Sequence, residues 1–294
     1  MVAPAGRVPG DLLDGWCDLL SKAGFVVEQG RHVRSVDPSA PYLAGRDEER
    51  ALDLQAAFTD PAVDGIVCAR GGYGCARILG LLDPAAFRPR PIVGFSDITA
   101  LHGFLAAKAG FASLHGPLLS TVSDHEPGTL YRMLGAMCGD APRPLEMDTL
   151  IEGRASGPLI GGNLTLVSAL AGTDCFPTLE GAIVFLEEVA EAPYRIDRAL
   201  NSLMMRGLDK AAGVVFGDLG GASDRYVPEG QVDACLKACA IGLCKQAGIP
   251  TAWGAPIGHR QRNETLGFGM PASLMCSPGG AVLNTSSAVH GGNR

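Results

Sequence analysis

The sequence predicts an α/β protein with a parallel sheet in its first half and a more strand-rich second half. Three observations carry that expectation. Apolar residues recur at helical spacing in segments that alternate with short, continuous apolar runs. Those runs lack the in-out alternation of a half-exposed strand, and each ends at a Gly-containing turn, as buried parallel strands do. With 294 residues, 47% apolar and 19% charged, the chain is long enough for one large or two medium domains.

Taken in order, the chain begins at Met1-Val2-Ala3-Pro4, inside what would be a first strand, so that strand is expected to be truncated or to lack a few upstream residues. Leu12, Leu13, Trp16, Leu19 and Leu20 mark a helix, and Asp47 to Phe58 opens with acids before placing Leu54, Ala57 and Phe58 on one face. Strands fit Gly65 to Ala69 and Pro91 to Phe95. From 120 to 154 the pattern is irregular, with Pro127-Gly128, a short helix at Thr129 to Met137, and Pro142 and Pro144, and it reads as a linker. Beyond it come a Gly-rich helix start (Gly161-Gly162-Asn163), a strand at Ala182 to Glu187, a helix at Ile196 to Met205, a strand at Gly213 to Phe216, a helix at Val232 to Ala247 and short terminal strands. The expected division is an N-terminal domain at 1–119, a linker at 120–154, an α/β or β domain at 155–285 and a tail at 286–294.

Composition narrows the function. A net charge of -7 argues against a nucleic-acid partner, because that affinity comes mostly from clustered Lys and Arg. No apolar run approaches the roughly 18 residues of a membrane span, and no basic segment followed by an apolar one opens the chain, so a cytoplasmic protein is expected. Nine cysteines without a CxxC pair read as reduced core residues. Cys235, Cys239 and Cys244 lie on one helix without a convincing fourth ligand, so no metal is expected.

In open parallel sheets ligands bind beyond the carboxyl ends of the strands. There the sequence places Arg70-Gly71-Gly72-Tyr73-Gly74 and Ser96-Asp97. The glycines let main-chain N–H groups approach a ligand. That permits a phosphate loop, an oxyanion hole or simply a tight turn, although neither G-x-G-x-x-G nor a P-loop is present. Ser96 sits between strand and helix like a nucleophile elbow, with Ile98 where α/β-hydrolases have Gly; the alternative is a helix N-cap serine.

A serine nucleophile needs a base and an acid to orient it. His32, His125 and His290 lie in polar, loop-like settings, and His102 falls about a helical turn beyond Ser96, pointing away. His259 stands where an apolar segment breaks into a polar loop, whereas His115 suits a satisfied core or hinge role. Glu187 ends a buried strand and needs a partner there; Glu188 and Glu191 have Arg195 and Arg198 close by in sequence.

Together, Ala69-Arg70-Gly71-Gly72-Tyr73-Gly74, Gly94-Phe95-Ser96-Asp97-Ile98-Thr99, Gly161-Gly162-Asn163-Leu164, Leu186-Glu187-Glu188 with Pro193 to Arg198, and Ile257-Gly258-His259 resemble the LD-carboxypeptidases, the muramoyltetrapeptide carboxypeptidase family of serine peptidases. The likeness runs from Met1 to about Leu283 and includes Tyr42 to Gly45 with Asp47 to Arg50. Phe95 stands where many relatives have Tyr.

The resemblance implies a Rossmann-like N-terminal domain and a smaller, strand-rich C-terminal α/β domain with the active site in the cleft between them. It implies Ser96 as nucleophile, His259 as base, Glu187 as orienter, the N–H groups of Gly72 and Asp97 as oxyanion hole, and neither metal nor cofactor. The implied reaction releases terminal D-alanine from murein tetrapeptides in cell-wall recycling, in a cytoplasmic protein that is often a homodimer. Arg70 is a candidate for the substrate carboxylate by position only, with a structural ion pair as the alternative. A related branch hydrolyses microcin C-type peptide-nucleotides and tends to be longer, so this chain looks more like the recycling enzymes.

Overall fold

The computed structural model describes every residue except His125, Pro127, Arg260 and 289–294, so the expectations for His125, His290 and most of the tail lie outside the described residues. In chain order the helices are α1 (Gly10–Lys22), α2 (Asp47–Thr59), α3 (Cys75–Ile78), α4 (Thr99–Phe104), α5 (Thr129–Met137), α6 (Leu164–Leu170), α7 (Pro193–Met204) and α8 (Val232–Ala247). The strands are β1 (Ile66–Val67), β2 (Ile92–Gly94), β3 (Ser113–His115), β4 (Leu145–Ile151), β5 (Gly153–Asn163), β6 (Ile183–Glu187), β7 (Gly213–Phe216), β8 (Thr251–Trp253), β9 (Leu266–Phe268), β10 (Pro271–Ser277) and β11 (Gly280–Thr285).

Local signals set several of these boundaries. Glu49 reaches back to accept the Arg46 N–H at 2.9 Å, and three acids occupy the first turn of α2, where the helix dipole favours them. Pro193 opens α7 because the first helical position needs no N–H donor. The residues of β1, β2, β3 and β6 are all buried, which explains the unbroken apolar runs of β1, of β2 and of β6 up to Glu187.

Strands β1, β2 and β3 form the expected parallel sheet, with Ile66 beside Ile92 and Val93 beside Leu114. Val2 adds a parallel bridge to Cys68 at its edge. The second half closes into a seven-stranded barrel in the order β10-β11-β4-β8-β7-β6-β5. Closure depends on β5, whose first half runs antiparallel to β10 and whose second half runs parallel to β6.

Two strands cross the boundaries expected from sequence. β4, inside the stretch read as linker, is a barrel strand between β11 and β8, and β9, inside the second half, pairs antiparallel with β3 in the first sheet. The chain therefore passes from barrel to parallel sheet and back between β8 and β10. At the joint, Phe185 of β6 is fully buried, with its ring edge-on to His115 at 4.8 Å and to Phe268 at 6.4 Å. Truncating such a side chain to Ala costs about 3–5 kcal/mol.

Candidate active site

Ser96 follows β2 and is the first residue of a 3-10 turn that leads into α4. Its φ of 62° is left-handed, a conformation that costs a non-glycine residue about 1–2 kcal/mol and is held only where the surroundings impose it. The expected N-cap role is not seen, since Ser96 lies inside the turn and no side-chain cap bond is made there. The geometry is that of an elbow without the glycine two residues on.

The glycine loop faces this elbow. A Cβ added at Gly71 would lie 3.0 Å from Ser96 Cβ and 3.3 Å from the Asp97 nitrogen, so a side chain there would crowd the elbow and glycine keeps the space between loop and hydroxyl open. The Asp97 carboxylate accepts the Cys75 N–H at 2.7 Å, which locks the elbow to the end of the loop. Burial raises that carboxyl to about 6, against the Cys75 amide, which favours the anion. Beneath the loop, the fully buried Arg50 donates to the carbonyls of Gly74 at 2.9 Å and Pro4 at 2.6 Å and pairs with Asp47. Sequence reading missed Arg50 and the Asp97 side chain; an Arg on the apolar face of a helix was the available signal for the first.

The other half of the site comes from the barrel. Glu187, fully buried, ends β6, and its Oε2 lies 2.8 Å from His259 Nδ1. A carboxylate can only accept, so Nδ1 carries the proton and Nε2 is left as the basic atom. A Cβ on Gly258, whose φ is +104°, would sit 2.9 Å from Glu187 Oε2, so glycine is what lets the histidine loop approach the acid. The Gly258 N–H donates to Asn263 Oδ1 at 3.1 Å.

Burial alone would lower the His259 imidazole, but the hydrogen bond and charge of Glu187 outweigh it and hold it above its ordinary 6.5. Burial also pushes the Glu187 carboxyl up, against the pull of His259. The ring centroids of Phe95 and His259 are 4.7 Å apart, so the residue before Ser96 supports the imidazole. Glu187 and His259 are thus joined directly, while Ser96 and His259 are neighbours through Phe95 and make no hydrogen bond to each other in this conformation.

The other candidates divide. Arg70 donates to the Arg7 carbonyl at 2.6 Å, so the expected alternative of a carboxylate partner is replaced by a backbone oxygen. Glu191 pairs with Arg195 at 3.2 Å as expected. Glu188 does not follow that pattern; it accepts from Asn163 Nδ2, from the Thr165 hydroxyl and amide, and from the Val189 N–H, anchoring the start of α6.

His102 bridges Ser113 Oγ and the Gly94 carbonyl, both at 2.8 Å, and points into the core. His115 is buried as expected but is not satisfied: neither ring nitrogen has a hydrogen-bond partner among the described residues. His32 pairs with the buried Asp53 at 2.9 Å. A groove of about 510 Å³ between α6 and α7 begins at Thr165 and Glu188 and runs along Arg195, Arg198 and Arg206; it adjoins the site, but neither Ser96, Glu187 nor His259 lines it.

The LD-carboxypeptidase N-terminal domain matches residues 1–116, and the LD-carboxypeptidase C-terminal domain matches 156–274. A putative carboxypeptidase of Streptomyces coelicolor is 37% identical over 97% of this chain and 92% of its own length, and the murein tetrapeptide carboxypeptidase of Pseudomonas aeruginosa is 31% identical over 93% and 92%. Among solved structures, a muramoyltetrapeptide carboxypeptidase from Oxalobacter formigenes superposes with a TM-score of 0.83 at 30% identity, covering 97% of each chain. An MccF-like protein from Bacillus anthracis gives 0.85 at 25%, covering 97% of this chain and 95% of that one. With both halves matched and relatives above 30% identity along nearly its whole length, the chain belongs to the LD-carboxypeptidase family.

Proposed function

We propose that the protein is a serine carboxypeptidase that hydrolyses the amide before the terminal D-alanine of murein tetrapeptides, in cell-wall recycling, through Ser96, His259 and Glu187. The observation that carries this reading is the 2.8 Å Glu187–His259 hydrogen bond packed against Phe95, the residue preceding the left-handed Ser96. The murein peptide named for the Pseudomonas and Oxalobacter relatives supports the substrate class.

In this mechanism Ser96 Oγ attacks the carbonyl carbon while its proton passes to His259 Nε2. Glu187 holds the Nδ1–H and stabilises the imidazolium. The N–H groups of Gly72 and Asp97 receive the developing oxyanion. Collapse of the tetrahedral intermediate expels D-alanine, whose amine takes the proton from His259. Water, deprotonated by the same nitrogen, then releases the acyl group. The Ser96–His259 hydrogen bond forms as substrate enters, since such bonds are often long before the substrate complex is made.

No step uses a metal, so activity is expected to survive exhaustive chelation. A cytoplasmic homodimer is the accompanying expectation, checked by fractionation and by solution mass. No helix among the described residues is long and apolar enough to cross a membrane.

The MccF-like neighbour supports a second reading, hydrolysis of a peptide-nucleotide. Incubating the protein with a diaminopimelate-containing murein tetrapeptide and, separately, with an aminoacyl nucleotide distinguishes the two. Released D-alanine supports the first reading; a released amino acid from the nucleotide alone supports the second.

A further inference from the structure

The loop that carries His259 is gripped from the other half of the molecule. Its neck is closed by the Glu264 N–H donating to the Pro256 carbonyl at 2.8 Å. Glu264 is only 7% exposed, and its two oxygens take two arginines: Arg262 Nε at 2.7 Å from the loop itself and Arg132 Nε at 3.1 Å from α5. Helix α5 is fixed to the parallel sheet, where Met133 and Leu134 are buried with Val67, Val93 and Leu114. Arg132 also pairs with Glu126 at 3.1 Å, and the Glu126 N–H donates to the Gln261 carbonyl at 2.7 Å. Glu126 and Arg132, which belong to neither matched family region, thus bond the histidine loop by backbone and by side chain.

We propose that the Arg132–Glu264 ion pair is a latch on the histidine loop that sets the position of His259 against Ser96. Ser96 is carried by the sheet on which α5 sits, and His259 by the loop that Glu264 closes just before β9 joins that same sheet, so this pair clamps the sheet end of the histidine loop to the frame of the nucleophile. Both residues are positioning residues and touch no reacting atom. Removing Arg132 strips a nearly buried carboxylate of one of its two partners, which favours its movement toward water and opens the neck of the loop. A displacement of about 1 Å between nucleophile and base costs on the order of 100-fold in rate. The inference rests on the triad reading above.

The test compares Arg132→Ala, Arg132→Lys, Arg132→Glu and the reversed pair R132E/E264R with wild type. It measures kcat and KM on the murein tetrapeptide, the second-order rate of Ser96 labelling by a fluorophosphonate, and Tm. The latch predicts that Arg132→Ala lowers kcat and labelling by about 10- to 100-fold with KM within about threefold, and that Arg132→Lys recovers part of the loss. The reversed pair is expected to label at least about tenfold faster than Arg132→Glu alone. Folded Arg132→Ala that labels and turns over within about twofold of wild type overturns the proposal. So does an equal loss in the Ala and Lys variants, which also decides the matter if the reversed pair does not fold. Wild type that is labelled at Ser96 but leaves the tetrapeptide intact overturns the substrate reading and leaves the latch to be judged on labelling. Unlabelled wild type overturns both.

Discussion

The Asp97 carboxylate accepts the Cys75 N–H at 2.7 Å, which makes the turn bearing Ser96 and the glycine loop opposite it one mechanical unit. Two N–H groups offered to an oxyanion help only if their separation is fixed before substrate arrives. In the proposed assignment one donor, Asp97, fixes the loop of the other, Gly72, with its own side chain.

Burial gives the same carboxyl a pH signature, against the pull of the Cys75 amide. The Asp97 carboxyl is raised to about 6 from an ordinary 3.8, so the folded protein holds this proton more tightly than the unfolded chain does. The favourable contribution is complete below 3.8 and is lost as pH rises through 6. Denaturant unfolding of wild type and Asp97→Asn across that window is expected to show their difference moving in favour of wild type as pH falls. A constant difference contradicts the assignment.

Ser96 is expected to show a conflict between stability and function. Its φ of 62° suits glycine, so Ser96→Gly relieves strain that Ser96→Ala retains. Both variants lose turnover by several orders of magnitude, but the glycine variant is expected to be the more stable, by about 1 kcal/mol. Paired calorimetric scans read this directly, and an alanine variant that melts higher contradicts the strained elbow.

Glu187 holds His259 above 6.5, so the acid limb of kcat/KM is expected above that pH in wild type. Glu187→Gln removes the charge that opposes burial. The limb then moves to lower pH while the plateau falls by about two to four orders of magnitude. Glu188→Gln moves the limb less than Glu187→Gln, because its charge raises His259 more weakly than that of Glu187, and it lowers Tm as well, because Glu188 anchors α6. An unmoved limb in Glu187→Gln assigns the titration to another group.

His102 supplies an acid-sensitive contribution in the core. Full burial lowers it from 6.5 to about 4, although the Gly94 carbonyl favours the charged form. A depressed base contributes stability that is complete above 6.5 and is lost as pH falls toward 4, here on the order of 3 kcal/mol. His115, lowered well below 6.5 by burial, acts in the same direction. Stability curves for His102→Gln are expected to be flatter than those of wild type between pH 6.5 and 4, and an equal slope removes His102 as a source.

Much of this site was legible in the sequence because its parts sit at chain punctuation: glycines after β1, a serine after β2, a glutamate closing β6 and a histidine where an apolar run breaks. The barrel was not legible. Its closure rests on β5 changing partners from β10 to β6 within one strand, and on β4 pairing with β8 and β11 roughly a hundred or more residues away, and no local periodicity encodes such pairings. Pro142 and Pro144 drew β4 into an apparent linker, although both precede its first residue, Leu145. Glu188 was read as an ion-pair partner because sequence proximity favours Arg195, whereas the fold brings Asn163 and Thr165 to it first. The orphaned His115 has no sequence signature, since an apolar neighbourhood looks the same with or without a partner for the ring.

Trapping the acyl-enzyme tests the central claim most directly. Wild type and the Ser96→Ala, His259→Ala and Glu187→Gln variants are mixed with a murein tetrapeptide, quenched within a turnover and mapped by peptide mass. The account predicts an acyl adduct on Ser96 in wild type, none in the serine variant, and accumulation slowed by several orders of magnitude in the histidine variant and less in the glutamine one. Tetrapeptide cleavage by wild type with the adduct on another residue, or an Ser96→Ala protein that still releases D-alanine at the wild-type rate, contradicts it.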